Sequence, residues 1–97
     1  MTDASIDDPR VQWRGHATPE DWVHAVAADM ERIVRAELAA RGQARILLSG
    51  GTTPAPAYAR LAAAPLDWSR VAVGLVDERW VPADHDTSNA RLLRESL

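Results

Sequence analysis

Two short stretches of this 97-residue chain carry side chains suited to chemistry. The first is Asp77-Glu78-Arg79-Trp80, which follows directly on the apolar run Val71 to Val76. In open α/β sheets ligands bind in the crevice outside the carboxyl ends of the strands, so acids and a guanidinium at that point form a site candidate. Asp77, at the strand tip, can orient a sugar hydroxyl or accept a proton. Arg79 can pair with a phosphate or steady Asp77. Glu78 points the other way if the chain stays extended, which suits a structural or solvated role. Trp80 and Val81 are expected to anchor the loop in the core. The plain alternative is a strand that surfaces into a solvated turn.

The second stretch is Ser49-Gly50-Gly51-Thr52-Thr53, between an apolar strand and a helix. Glycines let the backbone approach an anion, and a helix amino terminus points N–H groups at it. Thr52 and Thr53 add hydroxyl donors. The stretch has neither the lysine of an ATP-type phosphate loop nor the spacing of a dinucleotide fingerprint. A small phosphate ester is therefore expected rather than a nucleotide; the plain alternative is a tight turn with a threonine cap. Ser88-Asn89 reads first as a helix cap, with Asn89 a further candidate for a ligand contact. Asp84-His85-Asp86 invites a metal reading, but three adjacent residues do not converge easily on one ion, so no metal site is expected. His16 and His24 stand alone and suit surface or packing roles.

The elements that must hold these residues follow from spacing. Thr18-Pro19-Glu20-Asp21 is a helix start, with a capping threonine and proline at the first helical position. Val23, Val26, Met30, Ile33, Val34 and Leu38 then recur at helical spacing, and Arg41-Gly42 is a basic last turn with a glycine stop. The spacing predicts a helix over about 19–41. Ala44 to Leu48 reads as a strand, Pro54 to Ala64 as a helix with Tyr58 and Leu61 on one face, and Val71 to Val76 as a buried strand. Strand, helix, strand at this spacing suits one right-handed parallel crossover, hence an α/β fold. Val11-Gln12-Trp13 alternates like a short strand. Residues 1–9 are expected to be disordered. Residues 77–87 form a polar loop, and Ser88 or Thr87 caps a last helix that still runs at Leu97.

Composition narrows the classes. The apolar fraction is 46%, the net charge −3, and there is no cysteine. No disulfide framework or thiolate site follows, and the negative charge does not favour nucleic acid. No apolar run approaches the ~18 residues of a membrane span. The acidic start, Met1 to Asp8, fits neither a secretory signal nor a transit peptide, so a cytoplasmic location is expected. All 11 basic residues are arginine, so no lysine is present for Schiff-base chemistry.

Four pieces together, Leu48-Ser49-Gly50-Gly51-Thr52-Thr53-Pro54, Leu66-Asp67-Trp68, Asp77-Glu78-Arg79-Trp80-Val81-Pro82 and Asp86-Thr87-Ser88-Asn89, resemble the amino-terminal half of the 6-phosphogluconolactonase family. The resemblance covers about residues 10–97. It is similar to the glucosamine-6-phosphate deaminases too, but they usually carry Asp-Glu-Tyr and Ser-Tyr where this chain has Asp77-Glu78-Arg79 and Ser88-Asn89. The same fold also serves as a sugar-phosphate-sensing module.

The resemblance implies a three-layer α/β fold with a mostly parallel, Rossmann-like sheet and flanking helices. It implies hydrolysis of 6-phosphogluconolactone to 6-phosphogluconate in the oxidative pentose phosphate pathway, with no cofactor and no metal. Carried over by position, Ser49, Gly50, Gly51, Thr52, Thr53 and Asn89 line the substrate site, and Asp77 and Arg79 position the substrate. The family's glycine-rich motif with its catalytic histidine would lie beyond Leu97, and none of His16, His24 or His85 matches it. The expectation is therefore an incomplete amino-terminal part of one domain over 1–97, inactive alone. A strand edge and part of an apolar sheet face would stay open, so self-association, or a missing carboxy-terminal portion supplied by another chain, is expected.

Overall fold

A computed structural model describes residues 8–97. Its elements in order are helix α1 (Pro19–Arg41), strand β1 (Ala44–Leu48), helix α2 (Ala55–Ala62), a 3-10 turn (Trp68–Arg70), strand β2 (Val71–Leu75) and helix α3 (Asn89–Ser96). The expectation of disorder over 1–9 lies, for residues 1–7, outside the described residues.

Helix α1 begins and ends where its signals stand. The Asp21 backbone N–H donates to Thr18 Oγ1 at 3.0 Å, Pro19 opens the helix, and Gly42 closes it with a left-handed backbone, its N–H donating to the Leu38 carbonyl at 2.9 Å. Ala27 and Val34 carry the buried stripe of this helix. Ile33, expected on that stripe, is half exposed because it lies beside the face that meets the sheet. The solvent side carries Arg35–Glu31 and Arg41–Glu37 pairs one helical turn apart, each of small worth in water.

The sheet is a parallel pair in the register Ala44 to Val71 through Leu48 to Leu75. The Val76 N–H donates to the Leu48 carbonyl at 3.0 Å, so the ladder runs one bond past the strand end. Alternation puts Ala44, Ile46 and Leu48 on one face with Val71, Val73 and Leu75. There the core gathers. Leu48, Tyr58 and Leu93 form its centre, with Met30, Ile46, Leu75, Leu92 and Leu97 packed against it. Helices α1 and α2 thus supply one member each, Met30 and Tyr58, and α3 supplies Leu92 and Leu93. Full burial of a side chain such as Val34 or Leu61 contributes about 1.5–3 kcal/mol.

The opposite face is bare. Leu47 is 69% exposed and Val76 64%. The expectation of a buried β2 is therefore corrected: on its inner face Leu75 packs on the core but Val73 is 40% exposed, and its outer residues have no covering layer among the described residues. Val11-Gln12-Trp13 is not a strand either. Among the described residues the sheet has two strands and this segment pairs with neither; the Val11 N–H closes a turn on the Asp8 carbonyl instead, and Trp13 is exposed. Among the described residues no helix is long and apolar enough to cross a membrane.

Candidate functional site

The carboxyl ends of β1 and β2 lie side by side, so the loops that leave them share one crevice. After β1, the Tyr58 hydroxyl donates to the Ser49 carbonyl at 2.7 Å and also lies 3.4 Å from Ser49 Oγ. The tyrosine is buried in the core, and this bond gives its hydroxyl a partner while fixing the start of the loop. Gly51 takes a left-handed backbone with φ at 101°, a conformation that glycine adopts without strain. Pro54 then starts α2.

Asn89 is buried at 4% exposure and reaches into both loops. Its Nδ2 donates to the Asp77 backbone carbonyl and to Asp77 Oδ1, each at 3.2 Å. Its amide also lies close against Gly50. A Cβ at Gly50 would sit 1.9 Å from Asn89 Oδ1, so no other residue fits there without displacing the asparagine. Gly50, Asp77 and Asn89, all expected at the site, are thus brought together. Asp77 keeps its second carboxylate oxygen without a partner among the described residues, available to a hydroxyl or a water.

Glu78 has the most bonds in the cluster. Its carboxylate accepts from the backbone N–H of Asn89 at 2.6 Å, Arg79 at 2.8 Å and Ala90 at 2.9 Å, and from Ser88 Oγ at 2.9 Å. It therefore caps α3 from outside the helix, while Ser88 Oγ accepts the Arg91 N–H at 3.3 Å. The N–H of Ala90, then those of Arg79 and Asn89, and the Ser88 hydroxyl push the Glu78 pKa down to about 2. A structural role for Glu78 holds; its partners were not foreseen. Nothing local marks them, because the carboxylate lies ten residues before the serine it holds.

Arg79 and Trp80 stand outside this set of bonds. Beyond its backbone bond to Glu78, Arg79 makes no ion pair among the described residues, and its guanidinium does not steady Asp77. The expectation that Trp80 anchors the loop in the core is corrected. The indole is wholly exposed, at 103%, because Glu78 ties the loop to α3 on one side and no described element packs on the other. Arg79, Trp80, Val81 and Pro82 line a shallow hollow of about 300 Å³.

The His85 loop is tied internally. His85 Nδ1 accepts the Thr87 N–H at 3.1 Å, and Arg91 pairs with Asp86 and donates to the Asp84 carbonyl at 2.9 Å. No group of three metal-ligating side chains converges among the described residues.

Thr52 and Thr53 do not join the Asn89 cluster. They open instead onto a cleft of about 750 Å³ between the first turn of α1 and the side of α2, with Trp22, Pro56 and Arg60 among its walls. The sequence reading missed this cleft, since its walls come from separate helices.

Residues 17–97 match the family described as glucosamine-6-phosphate isomerases/6-phosphogluconolactonase. A 6-phosphogluconolactonase of Xylella fastidiosa (strain 9a5c) is 45% identical over 91 residues, covering 94% of this chain and 38% of that protein. A 6-phosphogluconolactonase of Pseudomonas putida is 51% identical over 72 residues, covering 74% of this chain and 30% of its own length. The crystal structure of a 6-phosphogluconolactonase from Shewanella baltica OS155 superposes with a TM-score of 0.82 at 40% identity, covering 84% of this chain and 35% of that one. The chain thus spans less than two fifths of the length of the relatives it matches.

Proposed function

This chain belongs to the glucosamine-6-phosphate isomerase/6-phosphogluconolactonase family, and from that premise we propose that it carries the phosphate- and sugar-binding half of a 6-phosphogluconolactonase. The observation that carries the reading is the convergence of Gly50, Asp77 and Asn89 at the ends of two parallel strands. In the proposed reaction water attacks the lactone carbonyl, the ring C–O bond breaks, and a carboxylate and a hydroxyl result. The free oxygen of Asp77 and the guanidinium of Arg79 hold the polar substrate. Ser49, Gly50, Gly51, Thr52, Thr53 and Asn89 shape the rest of the site. The reaction needs a base near neutral pKa. None of the three histidines matches the family's motif, so little turnover is expected from this chain alone. The substrate is a soluble sugar phosphate, which fits a cytoplasmic enzyme. The deaminase and sensor alternatives draw no support from the lactonase names of the relatives.

Two measurements test this reading. The chain is assayed against fresh 6-phosphogluconolactone with spontaneous hydrolysis subtracted. It is then assayed again after replacing the matched stretch of the Xylella fastidiosa relative. The chimera is expected to hydrolyse the lactone and the lone chain is not; an inactive, folded chimera would reject the function. The bare sheet face is further read as the place where a second copy or a complementary chain packs. Sedimentation at increasing concentration should then show species heavier than a monomer, and a clean monomer would reject that part.

A further inference from the structure

The two loops of the crevice meet through one side chain. Asn89 Nδ2 donates to the Asp77 carbonyl and to Asp77 Oδ1, each at 3.2 Å, while its Oδ1 lies against Gly50. Asn89 is the first residue of α3, so the setting of the crevice depends on where that helix begins. That start is fixed from outside the helix. One oxygen of Glu78 accepts the N–H of Asn89 at 2.6 Å and of Arg79 at 2.8 Å. The other accepts the N–H of Ala90 and the Ser88 hydroxyl, both at 2.9 Å.

Two adjacent acids therefore differ in what they are left to do. Asp77 has one oxygen without a partner among the described residues, while both oxygens of Glu78 are engaged twice, each time by the protein itself. A carboxylate that is already held loses less freedom when a sugar hydroxyl binds to it. If Asn89 were released, the ligand would have to order Asp77 on arrival, and the bond between them would weaken.

We propose that Glu78 is a positioning residue for sugar-phosphate binding: it touches no ligand and acts through Asn89, which it sets against Asp77 and Gly50. This rests on the reading above that the chain binds a sugar phosphate. The middle acid of Asp77-Glu78-Arg79 then governs affinity from behind the site.

Side-chain amide signals in nuclear magnetic resonance read the link without any ligand, because Asn89 is the one asparagine, beside Gln12 and Gln43. The held Asn89 amide should exchange its hydrogens with water more slowly than the two exposed glutamines. Glu78→Gln sets an NH2 against a backbone N–H whichever way its amide sits, and should bring Asn89 exchange to the rate of the glutamines. It should also weaken 6-phosphogluconate binding in calorimetric titration roughly 2- to 10-fold, the range for one side chain that must be ordered on binding. In the Asn89→Ala background the same change should weaken binding no further, although it still lowers stability through Ser88, Arg79 and Ala90. Glu78→Asp keeps the charge with a shorter reach; it should fall between, and it carries both readouts where Glu78→Gln does not fold. Glu95→Gln, farther along α3, should alter neither. Unchanged Asn89 exchange in Glu78→Gln would overturn the link. Faster exchange with wild-type affinity would overturn the positioning role while leaving sugar-phosphate binding intact. Equal weakening with and without the Asn89 side chain would overturn the route through it. No binding by the wild-type chain would overturn the positioning role together with the reading it rests on.

Discussion

The loop after β1 and the loop after β2 leave neighbouring strands at the paired residues Leu48 and Leu75. The first has few charges and keeps its polar groups free: Thr52 and Thr53 point into a cleft, and Gly51 gives the backbone its turn. The second is dense in charge and ties most of it down. Glu78 is held by four donors, Asp77 holds Asn89, and Asp86 pairs with Arg91. Within it, Arg79 and Trp80 are exposed and make no side-chain hydrogen bond among the described residues. Charge density along a sequence is therefore a poor guide to which polar groups a fold leaves free. A carboxylate surrounded by N–H donors serves the fold, while an unpaired hydroxyl beside an unpaired guanidinium is available to something else.

The contrast can be broken most severely at Gly50. Gly50→Ala places a methyl inside the Asn89 amide and is expected to lower stability by about 1–3 kcal/mol in urea unfolding. Adding Asn89→Ala to it should recover much of that loss, because the clash is with the side-chain amide; purely additive effects would show that the two residues do not touch. Gly51→Ala meets only an ordinary contact with Pro54 Cδ at 3.8 Å and should suffer only the left-handed backbone strain, about 1–2 kcal/mol.

A smaller effect is expected at Glu78, whose carboxylate is reached by solvent. Its pKa is held at about 2 against an ordinary 4.5, so the charged form binds its donors in the folded chain. That contribution is complete above about pH 4.5 and is lost as the pH falls towards about 2. Glu78→Gln should flatten this part of the acid unfolding profile. An unchanged acid slope would show that the clamp does not form in solution.

Much of this was legible in the sequence because it rests on local rules. Thr18, Pro19 and Gly42 mark the ends of α1 by cap chemistry that acts within one turn, and the strand–helix–strand spacing calls for a parallel pair. Asp77 and Asn89 were singled out from their places at a strand tip and a helix start. The misreadings share one cause. Val11 to Trp13 alternates like a strand, but a strand needs a neighbour, and that is a tertiary fact. Trp80 looks like an anchor, but burial depends on what packs over it. The Glu78 clamp and the Arg60 cleft join residues that no periodicity connects. The buried hydroxyl of the chain's one tyrosine was the overlooked signal, since such a group must find a partner.

The clamp also bears on the order of assembly. Glu78 and Ser88 are ten residues apart, and a loop of that span closes in about 10–100 ns. Pairing Ala44 with Val71 must close a far longer segment that contains all of α2. The hook that sets Asn89 against Asp77 is therefore the piece that can be made first, early in folding, with the strands zipping up onto a crevice already half formed.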